Sequence, residues 1–99
     1  MSKQRVLNFL GLAMRAGRVV AGESLVIEAI RMKKVKLVFL ASDSGVNTYK
    51  KVTDKAKFYG VKVIDLFTSD ELSQAIGKSR KVLAVSNERL TARLIDLCQ

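Results

Sequence analysis

Ninety-nine residues carry 18 Lys and Arg against nine Asp and Glu, a formal charge of +9, with 48% apolar residues and no histidine. That length supports one core and therefore one domain over residues 1–99, and so large an apolar share excludes a disordered chain. The charge asks for a polyanion, either nucleic acid, an acidic membrane face or an acidic protein, and without histidine the commonest general base and metal ligand are missing.

From the amino end, Val6, Phe9, Leu10, Ala13 and Met14 recur at helical spacing, and Gly17 is placed to close that helix. Val19-Val20-Ala21 predicts a short strand. A second helix starts at Gly22, buries Leu25, Val26, Ala29 and Ile30, and puts Glu23 at the positive end of its dipole. It runs into Arg31, Lys33, Lys34 and Lys36. The nearly all-apolar run Val35 to Ala41 predicts a strand covered on both faces.

Ser42-Asp43-Ser44-Gly45 is a turn cluster, after which Asn47 is the expected cap of a third helix. Its inner face is Tyr49, Val52, Ala56 and Tyr59, and its outer face carries Lys50, Lys51, Lys55 and Lys57. Gly60 ends it, and Val61, Val63, Ile64 and Leu66 predict a third strand. Thr68-Ser-Asp-Glu71 reads as a capping box for a helix with Leu72, Ala75 and Ile76. Gly77 stops that helix, Lys78-Ser79-Arg80 form a basic loop, and Lys81 to Val85 predict a fourth strand. A closing helix runs from about Asn87 with Leu90, Leu94 and Leu97 inside. The alternation implies an α/β fold, a three-layer α-β-α sandwich around a four-stranded mixed sheet.

Cys98 is the only cysteine, so no disulfide within the chain is possible and a reducing cytoplasm fits best. No run approaches the roughly 18 apolar residues that a membrane span needs. The acid-free first 22 residues superficially resemble a transit peptide, but they are poor in serine and their spacing is that of a core helix. No metal, cofactor or membrane partner is expected, and the protein is expected to be a monomer.

Enzyme chemistry finds little here. No Gly-Lys-Ser/Thr follows the early glycines, and no Gly-x-Gly-x-x-Gly follows a strand. Ser42, Asp43 and Ser44 follow a buried strand, where α/β enzymes often place functional groups, yet a turn explains them as well and is the favoured reading. Asp65 lacks a partner acid and reads as surface, and Cys98 as a passive helix residue. Phosphate and base recognition is better served. Free N–H groups at Gly22, with Ser24, are donors, Glu23 is an acceptor for a guanine edge, and Lys78 and Arg80 are phosphate cations. Arg18 and Lys33 are expected to flank the first site, and Ile76 to lie under a splayed-out base. The lysines of the third helix read more simply as a solvated face.

At these residues the sequence resembles the L-seven-A-e ribosomal-protein family, most closely its small bacterial YlxQ-like branch. The resemblance rests on Leu10-Gly11-Leu12-Ala13-Met14-Arg15-Ala16-Gly17, Gly22-Glu23, Val35 to Asp43, Asn47 to Lys55 and Leu72 to Lys78, in that order and spacing. It implies an α-β-α sandwich that binds kink-turn RNA, a sharply bent stem with sheared G·A pairs. The start of the second helix would read the guanines and the loop before the last strand would hold the extruded nucleotide. Those places fall on Gly22, Glu23, Ser24, Leu25 and Glu28, and on Ile76, Gly77, Lys78, Ser79 and Arg80. Ser24, Leu25 and Glu28 stand where archaeal members carry Asn, Glu and Lys, and Ser73 replaces a familiar glycine. The expected function is thus recognition of kink-turn or ribosomal RNA by a non-enzymatic protein. The alternatives are a basic RNA-associated module without kink preference and a small α/β nucleotide-binding enzyme using the Ser42–Gly45 turn.

Overall fold

In the computed structural model, which describes residues 1–99, α1 (Lys3–Arg15), β1 (Val19–Ala21), α2 (Glu23–Arg31), β2 (Leu37–Leu40), α3 (Val46–Phe58), β3 (Lys62–Ile64), α4 (Ser69–Ile76), β4 (Val82–Val85) and α5 (Glu88–Leu97) follow one another. The sheet order is β1-β4-β2-β3. The β2–β3 pair is parallel and β4 runs antiparallel to both its neighbours, so the sheet is mixed, as the element order implied.

Side chains alternate across the strands and sort the core into two sides. Leu37, Phe39, Leu83 and Val85 pack with Val6 and Leu10 of α1, Leu72 and Ile76 of α4 and Leu94 of α5. Val38, Leu40, Val82 and Ala84 pack with Val26 and Ile30 of α2 and with Val52 and Ala56 of α3. Every residue of β2 and β4 is buried, which accounts for the unbroken apolar runs in sequence. Helices α1 and α4 approach closely at Gly11, where a Cβ would lie 2.7 Å from the Ala75 carbonyl oxygen.

The caps follow local chemistry with one correction. Thr68 and Glu71 form the capping box, and Asn87 accepts from the Leu90 N–H at 3.0 Å. Asn47, however, lies inside the first turn of α3, whose cap is Gly45 with its carbonyl accepting from the Tyr49 N–H at 2.9 Å. The Ser44 N–H already turns back onto the Ala41 carbonyl at 3.1 Å, so the helix starts earlier than a side-chain cap would place it. Two apolar side chains expected inside, Leu25 and Tyr49, are outside, and Leu66 falls outside the third strand. Leu25 is 63% exposed in the first turn of α2, where no neighbouring element covers it. Tyr49 faces solvent and its hydroxyl donates to Asp65. Leu66 is exposed because β3 ends at Ile64 and Phe67 takes the core position beside Phe39.

Helices α1, α2 and α3 close identically. Residues Gly17, Lys33 and Gly60 adopt left-handed backbone with φ of 74°, 58° and 69°. In each, the next N–H reaches back five residues, Arg18 to Ala13, Lys34 to Ala29 and Val61 to Ala56, at 2.8–3.0 Å. The strand register puts all three closings at one end of the sheet, because Val19 and Leu37 both lie opposite Val85 and Leu37 lies opposite Lys62. We call this end the lysine pole. The other end, where Ala21 and Phe39 lie opposite Leu83 and Leu40 opposite Val82, is the loop pole.

Candidate nucleic-acid interface

At the loop pole, β1 hands over to α2 through Gly22. Its N–H donates to the Val82 carbonyl at 2.9 Å, extending the β1–β4 ladder by one bond. Its φ of +104° is a conformation that disfavours any side chain, so glycine is needed for backbone shape. Space alone would admit a Cβ, which would sit 3.7 Å from Arg80 Nε and 3.8 Å from its Cδ. The turn ahead of α2 therefore lies directly against the Arg80 side chain.

Arg80 is held there by α4. Gly77 ends that helix with φ 77°, its N–H donating to the Ser73 carbonyl at 2.9 Å. The Ser73 hydroxyl then accepts from the Arg80 N–H at 3.0 Å and donates to the Arg80 carbonyl at 3.1 Å. One serine thus satisfies both backbone groups of the arginine, and the guanidinium donates onward to the Ser79 carbonyl at 2.7 Å. Between the Gly22 turn and this loop lies a cavity of about 290 Å³, to which Glu23, Thr48, Asp70 and Lys81 also contribute.

Glu23 is anchored from α3. Thr48 Oγ1 donates to its carboxylate at 2.7 Å and Lys51 Nζ lies 3.4 Å away. The Thr48 hydrogen bond, aided by Lys51 and opposed by partial desolvation, holds the Glu23 carboxyl below the usual carboxylate range. An anionic acceptor is thereby fixed at the first turn of α2, beside N–H groups that have no partner within the helix. Behind Ser69, which lines the cavity, Asp43 accepts from the Ser69 N–H at 2.8 Å and from its hydroxyl at 3.0 Å, which keeps the Asp43 carboxyl low as well. The Ser42–Gly45 turn that an enzyme reading would use thus fastens the start of α4.

Gly22, Glu23, Ser79 and Arg80 surround one cavity, with Gly77 and Lys78 exposed on the same loop. Ser24, Leu25 and Glu28 are exposed on the adjoining face of α2, Glu28 pairing with Arg31 at 3.9 Å. Three expected residues are not brought together with them. Ile76 is 8% exposed and packs in the core on the inner side of α4, so no base can lie on it. Arg18 and Lys33 sit at the lysine pole, because β1 and α2 each carry the chain from one end of the sheet to the other. Thr48, Lys51 and Ser73 were not foreseen. Their roles depend on contacts between elements distant in sequence, or on a loop returning to its own helix, and no local motif marks them.

A model of the ribosomal protein L7Ae/L30e/S12e/Gadd45 family matches residues 4–93. The chain belongs to this family. It is 42% identical over 98 residues to a protein named RNA-binding protein YlxQ from Enterococcus faecium, covering 99% of this chain and 95% of that one. The protein of the same name from Bacillus subtilis (strain 168) is 44% identical over 98 residues, covering 98% of each. A solved protein of unknown function from Bacillus halodurans has a TM-score of 0.89 at 38% identity, covering 93% of this chain and 94% of that one. The Giardia lamblia 15.5kD RNA binding protein shares the fold, with a TM-score of 0.83 at 14% identity over 95% of this chain and 82% of that one. The L7Ae-type α-β-α sandwich is therefore retained at very different levels of sequence identity.

Proposed function

We propose that residues 1–99 form a non-enzymatic RNA-binding domain that docks by shape on a sharply kinked RNA, of ribosomal or other structured origin, and works as a monomer in the cytoplasm. The observation that carries this reading is the juxtaposition of the Gly22 turn with Arg80, where unpaired helix N–H groups, a fixed carboxylate and a loop cation share one cavity. Donors and Glu23 read base edges, while Lys78 and Arg80 neutralise phosphate. The apolar surface offered to an unstacked base is Leu25, 63% exposed beside the cavity. Support comes from the family match and from two relatives named RNA-binding protein.

A second reading, a basic module without kink preference, is favoured by Glu28, an acid on the outer face of α2 near the proposed docking surface. Gel shifts with a kink-turn duplex and a straight duplex of equal length separate the two. Shape-selective docking predicts tighter binding of the kinked RNA, and Gly22→Val should remove that preference, a loss of about tenfold or more, or ~1.4 kcal/mol, on kinked RNA alone. Lys78→Ala and Arg80→Ala should weaken the kinked RNA as well, by removing cations that neutralise its phosphates. Equal wild-type affinity for the two duplexes would establish the second reading.

A further inference from the structure

Unpaired charge lies at both ends of the molecule: Lys78, Arg80 and Lys81 are outside every ion pair beside the Gly22 turn, and a second cluster stands at the opposite end. At the loop pole Lys51 is matched by Glu23 at 3.4 Å and Lys3 by Glu71 at 3.6 Å, with Asp43 and Asp70 close by. At the lysine pole, Arg18, Lys33, Lys34 and Lys36 take part in none of the four ion pairs of the structure. The three lysines line one side of a groove of about 430 Å³, with Ser86, Asn87 and Thr91 on the other side and Glu88 its single acid. Arg18 is tied to the same place, its carbonyl accepting from the Ser86 N–H at 2.9 Å and from the Ser86 hydroxyl at 3.2 Å.

Cations near helix carboxyl ends also stabilise helix dipoles, which would account for Arg31. That account does not reach Lys33. It is the only non-glycine residue with positive φ, in the closing position that glycine fills in α1 and α3. Glycine would close α2 with less strain, so a lysine at this position stands against a conformational preference. Such an outlier points to function.

We propose that the lysine pole is a second RNA site, in which Arg18, Lys33, Lys34 and Lys36 hold a phosphodiester backbone, so that one molecule ties two stretches of RNA together. The proposal builds on the RNA-binding reading and extends it. The two surfaces occupy opposite ends of the sheet in a body of 28 × 26 × 24 Å, so a few nucleotides at one kink cannot engage both. The occupant is a polyanion without required sequence, since the groove offers several cations and a single carboxylate.

The test uses the whole chain, a donor-labelled kink-turn duplex and an acceptor-labelled straight duplex. Wild-type protein should bring both labels into one complex. Combining Lys33→Gly with Lys34→Ala and Lys36→Ala should weaken capture of the straight duplex about tenfold or more, while kink-turn affinity changes less than about twofold. Lys33→Gly alone should leave the melting temperature equal or higher, which separates lost binding from lost folding. The proposal is overturned if the triple variant still holds both RNAs as wild type does. It is overturned equally if polyglutamate displaces the straight duplex as effectively as unlabelled RNA of matched charge, which would mark an acidic-protein site. If wild-type protein shows no preference for the kinked RNA, yet the triple variant loses the straight duplex, the lysine pole stands and the kink reading fails. Absence of any RNA binding by wild-type protein overturns both.

Discussion

The two poles are built from opposite materials. At the loop pole most polar side chains are already engaged within the protein, Glu23 by Thr48 and Lys51, Asp43 by Ser69, and the Arg80 backbone by Ser73. At the lysine pole, Lys33, Lys34 and Lys36 are exposed and have no acid partner. Fixed donors and acceptors discriminate by geometry, whereas free cations attract a backbone of any sequence. On the proposed reading, the loop pole supplies selectivity along with some phosphate neutralisation by Lys78 and Arg80, and the lysine pole supplies affinity alone.

The largest way to sharpen that contrast is salt dependence on an RNA long enough to reach both ends. Each neutralised phosphate contributes about 0.7–0.9 to the slope of log affinity against log salt, so alanine at Lys33, Lys34 and Lys36 should flatten it by roughly 2 to 3. Gly22→Val removes no charge and should lower affinity for kinked RNA with the slope nearly unchanged. Isothermal titrations between low and moderate salt measure both. Equal flattening by the two variants would erase the distinction between the poles.

Much of this was legible in the chain, and what was hidden has a physical pattern. Apolar spacing and caps fix local structure, so Val35 to Ala41 and Thr68 to Glu71 lead directly to β2 and the α4 cap. The loop pole could be anticipated at Gly22 because a glycine before a helix start is a local sign. Nearness in sequence suggests Arg18 and Lys33 as its flanks, although a three-residue strand and a nine-residue helix carry the chain to the opposite end. Ile76 ends its helix beside the loop and so suggests a platform for a base, but its side chain turns inward to the core. Long-range partners such as Thr48 for Glu23, 25 residues apart, leave no periodic trace.

A smaller effect tests whether the loop pole depends on its clamp. Ser73→Ala leaves the Arg80 N–H and carbonyl without their partner. Water can reach this exposed segment, so the cost should sit near the lower end of the ~1–3 kcal/mol for an orphaned group. Denaturant titration should show that loss, and hydrogen exchange should rise at Gly77 to Lys81. Kink preference should fall while capture of a straight duplex at the lysine pole persists. A variant with native exchange in that loop and unaltered RNA preference would show that the clamp does not position Arg80.

The smallest effect is acid sensitivity, and it separates the poles by the kind of group each uses. Glu23 has its folded carboxyl pKa lowered from an ordinary value of 4.5, first by the Thr48 hydroxyl, then with help from Lys51. A depressed folded pKa contributes stability that is fully present above the unfolded value and is lost as pH falls through the folded one. Thr48→Val removes the donor, so the Glu23 midpoint should rise toward its ordinary value in a carboxyl-carbon NMR titration. Near neutral pH the carboxylate stays ionised in both proteins, so kink preference should change little there and diverge only in mildly acidic solution. Thr48 lies at the loop pole alone, so capture of a straight duplex at the lysine pole should be the same in Thr48→Val and in wild type. An unchanged Glu23 midpoint in Thr48→Val would mean that Lys51 alone holds the carboxylate, and that the tether between α3 and the first turn of α2 is ionic.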